Sequence, residues 1–232
     1  MGIDEQLLIV RRNDFLALLT DDDYESLNVV HNIVMADKSD YIYFDAQDFD
    51  KLYFVKEGHV KIGNVDDEGN EIVKEILSPG DIFGQFSLEK NNMQGEFAQA
   101  YKDKVALCSF TISDFTKLLT ARPDLAVHFS RKIGQKVKKV DYRLINLLQK
   151  DARTRLLYFF WSLTQQQDHI EGNSCIMDNY FTHEDIARLT GTSRQTVTTL
   201  ITQFEAEGLL EVNRKAITIT DVKRLQREAK VG

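Results

Sequence analysis

The chain has 232 residues, a mass of 26.7 kDa and a formal charge of −7, enough for one large domain or two ordinary ones, each with its own core. No apolar run approaches the roughly 18 residues that a membrane span requires, and the start Met1-Gly-Ile-Asp-Glu-Gln6 is acidic where a secretory signal is basic, so a cytoplasmic protein is expected. The two cysteines, Cys108 and Cys175, stand alone at no metal-ligand spacing, which excludes a disulfide framework, a zinc knuckle and a thiol-held cluster.

The charge is unevenly divided. Residues 1–120 hold 11 Lys/Arg against 23 Asp/Glu, a net of −12, and residues 121–232 hold 18 against 13, a net of +5. An acidic part joined to one that tolerates a polyanion would look like this, although ordinary solvated surfaces also produce such differences.

From Tyr41 to Phe110 the pattern is that of strands. Short β-branched and aromatic runs, Leu52–Val55, His59–Ile62, Ile72–Ile76 and Val105–Phe110, are separated by Glu57-Gly58, Asp66–Asn70 and Ser78-Pro-Gly-Asp81. Punctuation of this kind predicts an antiparallel sandwich or barrel, with a hairpin tip at Asp66–Asn70 where Gly69 takes a positive φ.

After Phe110 the period lengthens to about 3.6. Thr111 or Ser113 can cap a short helix to Ala121, and Pro123 fits the first turn of a longer one. In that longer helix Ile133, Val137, Val140, Leu144 and Leu147 step by 4, 3, 4 and 3, the seam of a coiled coil. Basic residues, among them Lys132 and Lys136, flank the seam and leave a narrow apolar stripe, so pairing with a second copy is expected and the basic residues read as a solvated face. Asp151 then opens an amphipathic helix, and Gln165–Asn173 is a polar loop.

The segment from Thr182 to Gly208 carries the functional signal. Thr182 and Asp185 form a cap signature, Ile186 and Leu189 an apolar face, and Gly191 a stop. The next helix starts at Thr192 or Ser193, buries Val197, Leu200, Ile201 and Phe204, and ends at Gly208. The result is a helix-turn-helix. Opposite the apolar stripe stand Arg194, Gln195, Thr198, Thr199 and Thr202, with no acid among them. Arginine can bridge guanine and glutamine adenine in a major groove. Gln195 could instead fold back on Thr192 as a capping box, and the threonines could be merely solvated. Leu209–Thr220 alternates as two strands around Asn213-Arg-Lys215, a wing with a basic tip.

The order of these parts resembles the cyclic-AMP receptor protein / fumarate-nitrate regulator (CRP/FNR) family of bacterial transcription regulators. The resemblance rests on Phe54–Ile62, Asp66–Asn70, Leu77–Gly84, the Pro123 helix and Gly191-Thr-Ser-Arg-Gln-Thr-Val197. It implies an α+β protein: an effector-sensing β-roll over residues 1–121, a coiled-coil dimerisation helix over 122–150 and a winged helix-turn-helix DNA-binding domain over 151–232. It also implies a homodimer on an inverted repeat with half-sites about one helical turn apart and RNA polymerase as a partner; with no nucleophile–base pair, phosphate-cradling Gly-rich loop with lysine or metal-ligand spacing in the sequence, no enzymatic activity is expected. Arg194 and Gln195 are the expected base contacts, with Thr182, His183, Ser193, Thr196, Thr198 and Thr199 on phosphate or in secondary contacts.

The same resemblance places an effector pocket at Gly84, Gln85, Phe86, Ser87, Gln94, Gly95, Val140 and Asp141. In the cyclic-AMP-responsive members an acid, an arginine and a serine hold the nucleotide, and here Gln85, Gln94 and Gly95 fall on those positions. Val140 and Asp141 lack the hydroxyl expected near the adenine. Losing one charged partner of a buried pair costs about 3 to 5 kcal/mol, so a small signal other than cyclic AMP is expected. No cysteine precedes Cys108, which excludes the family's N-terminal iron–sulfur cluster. Haem is disfavoured because His31, His59 and His128 read as ordinary strand or helix residues. Ser39-Asp40 and Asp45–Gln47 replace the first two turn glycines, so those turns are expected to be built differently. Two alternatives remain open: an effectorless or Cys108-redox regulator of the same fold, and a nucleotide-sensing module with a protein-binding winged helix.

Overall fold

The N-terminal fold is organised by one strand buried on both faces. In the computed structural model, which describes residues 15–20, 23, 33–45, 49–89, 95–165 and 172–230, that strand is β3 (Lys51–Val65). It is preceded by β1 (Ile33–Ala36) and β2 (Tyr41–Phe44) and followed by β4 (Glu71–Leu77), β5 (Ile82–Gly84) and β6 (Glu96–Thr111). The antiparallel order is β1-β6-β3-β4, with β2 also on β6 and β5 on β3. Alternate β3 side chains serve two cores. Leu52 and Phe54 join Phe15, Phe110, Phe115 and Phe129, whereas Tyr53 and Val55 join Tyr43, Phe49 and Phe83. In the second core the Tyr43–Phe49 and Tyr53–Phe83 ring centroids lie 4.6 and 4.9 Å apart.

One expectation about this sheet is corrected. Glu57-Gly58 is not a break between strands but an irregularity inside β3, where the pairing passes from Glu57–Ala106 to His59–Tyr101. Gly58 has φ +74, and a Cβ there would lie 2.4 Å from the Lys104 carbonyl oxygen. The glycine therefore permits a close approach of strands. Of the turns without glycine, Ser39 is left-handed at φ +70 and Asp45 at φ +44, with Ala46 and Gln47 outside the described residues. The Asp66–Asn70 tip forms as read, with Gly69 at φ +84 and the Asp66 carboxylate accepting from the Glu68 and Asn70 amides at 3.0 and 2.8 Å.

The helices follow their local signals. Helix α1 (Ile112–Ala121) is capped by Thr111, whose hydroxyl accepts from the Asp114 amide at 3.1 Å. Pro123 opens α2 (Pro123–Gln149), which runs without interruption. Two compact units, residues 1–137 and 138–232, meet within this helix, so the segment expected over 122–150 is shared between them. Asp151 caps α3 (Ala152–Thr164) by accepting from the Thr154 amide at 2.7 Å. The C-terminal unit continues with β7 (Cys175–Asp178), α4 (His183–Thr190), α5 (Arg194–Ala206), β8 (Leu210–Val212), β9 (Ala216–Ile219) and α6 (Val222–Glu228). Its sheet order is β7-β9-β8. Strand β7 and helix α6 have no counterpart in the sequence reading. Helix α6 is capped by Asp221, which accepts from the Arg224 amide at 2.7 Å, and it buries Val222 and Leu225. No helix among the described residues is long and apolar enough to cross a membrane.

Candidate nucleic-acid interface and effector site

The helix-turn-helix is held by paired caps around a three-residue turn. Thr182 and Asp185 close a full capping box at the start of α4, and Gly191 ends that helix at φ +63. Ser193 caps α5, accepting from the Thr196 amide at 3.1 Å, with its hydroxyl 2.8 Å from the Thr196 hydroxyl. Gln195 is therefore not the second half of a capping box on Thr192. Val197, Ile201 and Phe204 are buried, and Leu200 is half-buried.

The outward face of α5 divides by hydrogen bonding. The Thr198 hydroxyl donates to the Arg194 carbonyl at 3.0 Å and lies 2.9 Å from His183 Nδ1, and the Thr202 hydroxyl donates to the Thr198 carbonyl at 3.1 Å. Thr182, Ser193 and Thr196 are engaged in caps. Arg194, Gln195 and Thr199 are exposed, and their side chains make no hydrogen bond or ion pair with the described residues. Arg194 opens α5 with no acid in the first turn. A cation there opposes the helix dipole, whose amino end favours anions, so the residue does not serve the helix's own stability.

Glu207, just past the other end of α5, accepts from Arg153 at 2.8 Å, and Arg153 also meets Glu228 at 3.0 Å while its guanidinium lies 4.8 Å from the Phe204 ring centroid. At the wing, Arg214 and Lys215 are exposed. The tip is shaped by the Asn213 carboxamide, which accepts from the Lys215 and Ala216 amides at 2.9 and 2.8 Å, and by Asn179, which donates to the Asn213 carbonyl at 2.6 Å. Asn179 was not singled out from sequence, because its role depends on a partner 34 positions away.

The turn of the helix-turn-helix is fastened to the end of α2. Arg155 donates to the carbonyls of Thr190 at 2.8 Å, Gly191 at 3.0 Å and Lys150 at 2.7 Å. A Cβ on Gly191 would meet Leu147 Cδ2 at 2.6 Å. Of the five seam residues, Leu147 thus touches this turn and Ile133 packs on the core beneath β3, whereas Val137, Val140 and Leu144 are exposed at 62%, 62% and 53%. Leu148, one turn beyond Leu144, is 75% exposed; the i, i+4 step from Leu144 is the signal that would have found it.

The predicted effector residues are divided between the two units. Gly84 has φ +103, and a Cβ there would lie 2.4 Å from the Lys51 carbonyl oxygen. Gln85 is buried; its amide donates to the Lys51 carbonyl at 2.9 Å, its Oε1 accepts from the Ser87 hydroxyl at 2.9 Å, and its Nε2 has no hydrogen-bond partner among the described residues. Lys136 Nζ lies 5.4 Å from the Phe86 ring centroid, and Leu88 is strained at φ +57. Gly95 is held at the start of β6, its amide donating to Asp45 at 2.8 Å. Gln94 and His31 lie outside the described residues. Val140 and Asp141 are exposed and belong to the C-terminal unit. The basic face of α2 is in part corrected: Lys136 pairs with Glu75, and Lys132 reaches the Gly80 carbonyl at 3.5 Å.

A β-roll followed by a winged helix-turn-helix defines a regulator that couples a sensing fold to a helix-turn-helix. The profile of the cyclic nucleotide-binding domain matches residues 34–122, and that of the Crp-like helix-turn-helix domain matches residues 154–228. The chain belongs to the CRP/FNR family of transcription regulators. It is 26% identical over 189 residues to the CRP-like cAMP-activated global transcriptional regulator of Mycobacterium tuberculosis, covering 82% of this chain and 84% of that one. It is 26% identical over 188 residues to the global nitrogen regulator of Nostoc, covering 81% and 84%. A crystal structure of a CRP/FNR-family regulator from Thermus thermophilus superposes with a TM-score of 0.65 at 25% identity, covering 85% of this chain and 98% of the other.

Proposed function

We propose that the protein binds specific DNA as a homodimer on an inverted repeat, reading bases with Arg194 and Gln195 and a neighbouring base with Thr199. The single observation that carries this is a cation and a carboxamide, exposed at the amino end of α5 with no side-chain partner among the described residues and no acid in that helix's first turn. Thr182, His183, Ser193, Thr196 and Thr198 support the readers or meet phosphate, with the wing tip Arg214-Lys215 as a further phosphate contact. A second copy pairs along Val137, Val140, Leu144 and Leu148, and RNA polymerase is the partner through which binding acts on transcription.

Gln85 argues that the signal is not cyclic AMP. Where the resemblance places an acid on the ribose hydroxyl the chain has a neutral carboxamide, which brings no charge and whose Oε1 already accepts from the Ser87 hydroxyl. Redox control at Cys108 is disfavoured by one observation: the thiol is fully buried, and burial pushes it up to about 12, which leaves almost no reactive thiolate at neutral pH.

Selection of binding sites from random DNA tests the reading. Arg194→Ala should then weaken the best operator by about 1 to 3 kcal/mol at matched salt; unchanged affinity would remove Arg194 from the base contacts, and binding indifferent to sequence would favour a protein-binding winged helix.

A further inference from the structure

The ends of α2 and α4 are gathered by one guanidinium. Arg155, half-buried near the start of α3, donates from Nε to the Thr190 carbonyl at 2.8 Å and from Nη2 to the Gly191 carbonyl at 3.0 Å, while its Nη1 donates to the Lys150 carbonyl at 2.7 Å. Two of its nitrogens thus take the carbonyls of the last residue of α4 and of that helix's cap, and the third takes the residue that follows α2. The closing carbonyls of a helix lack partners within it and form the negative end of its dipole. A planar fork answers two such ends at once, which the point charge of an ammonium does not.

Two residues past Gly191 stands Ser193, the cap of α5, so the same fork fixes where that helix begins relative to the end of α2. Leu147 of α2 lies against Gly191 as well. The tail of α2, with the exposed Val140 and Leu144 of the seam, belongs to the same compact unit as the helix-turn-helix. We infer that Arg155 is a positioning residue that sets operator spacing: it ties the turn before α5 to the helix along which two copies pair, and so fixes the separation of half-sites that the dimer accepts. The inference rests on the homodimer reading above and deepens it with a residue that acts through α5 and not on the bases. Arg153, two positions earlier on α3, offers the contrast, because its hydrogen bonds go to Glu207 and Glu228 and not to α2.

The test compares the selected operator with versions that have one base pair added to or removed from its centre, about 3.4 Å along the duplex, in binding by the full chain at matched salt. The parent should lose about tenfold or more with either change, the scale of one mismatched base pair. Arg155→Lys and Arg155→Met should narrow that loss to about threefold or less while keeping the half-site sequence preference, since neither side chain holds both helix ends. Arg153→Met should keep the parent's spacing preference. A merely structural role for Arg155 would weaken binding at every spacing alike and leave the ratio unchanged. Should Arg155→Met not fold, Arg155→Lys decides alone. A parent-like ratio between spacings in the folded Arg155 variants, or a parent that binds its half-sites specifically at every spacing alike, overturns the spacing inference and leaves the DNA-binding reading standing. Absence of site-specific binding by the parent at any spacing overturns both.

Discussion

Single residues carry much of what is unusual in the β-roll. Ser39 at φ +70 occupies a conformation that costs a side chain roughly 1 kcal/mol or more and a glycine nothing. Ser39→Gly should therefore raise the thermal midpoint, the gain being about 0.5 kcal/mol after the glycine's larger unfolded-state entropy is subtracted. Gly58→Ala should do the reverse and by more, since its Cβ would meet a backbone carbonyl that cannot swing aside. Thermal unfolding of the two variants gives the comparison; a stabilised Gly58→Ala would mean that the strands separate there without cost. These positions mark where sequence reading failed. Glu57-Gly58 has the chemistry of a turn, and only the opposing strand makes it an irregularity inside one. Ser39 has no local signal for a left-handed residue, because the sheet imposes it through its hydrogen bonds.

At the scale of elements the helices were the legible part, and the reason is local. Thr111, Asp151, Thr182 and Ser193 satisfy amides within three residues of themselves, and Gly191 stops a helix by its own φ, so each signal sits beside its effect. Asp151→Ala should cost about 0.5 to 2 kcal/mol in denaturant unfolding. Hydrogen bonds from the Thr154 backbone and side chain, in that order, hold the Asp151 carboxyl below its ordinary range. Its contribution is thus complete at neutral pH and disappears as pH falls through the folded value; a variant whose deficit is the same at pH 3 and pH 7 would show that the carboxylate is not the source. The candidate interface was legible by position only. Which hydroxyls of α5 are spent on the helix itself, and which α2 lysines lie on the sheet, depends on neighbours distant in sequence.

For the molecule as a whole, pH acts through a few buried groups of the N-terminal unit. Burial pushes Tyr53 and Cys108 up to about 12 and raises Tyr43 as well, whereas burial lowers Lys56 to about 8. Above about pH 9 the unfolded chain releases tyrosine and cysteine protons that the folded one retains, which lowers stability. Lys56 works in the opposite sense between about pH 8 and 10.5, because there the unfolded chain keeps the proton. Urea midpoints should fall from pH 9 to pH 11, and fall more steeply in Lys56→Met; midpoints constant over that range would show that these groups titrate alike in both states.

The contact between Leu147 and Gly191 makes two positions 44 residues apart answerable to each other. Any side chain at Gly191 would press on Leu147, and a smaller residue at Leu147 would relieve the steric part of that defect while leaving the left-handed φ unrelieved. In genetic terms, suppressors of a Gly191 lesion belong in the tail of α2, outside the helix-turn-helix on which their effect would be scored.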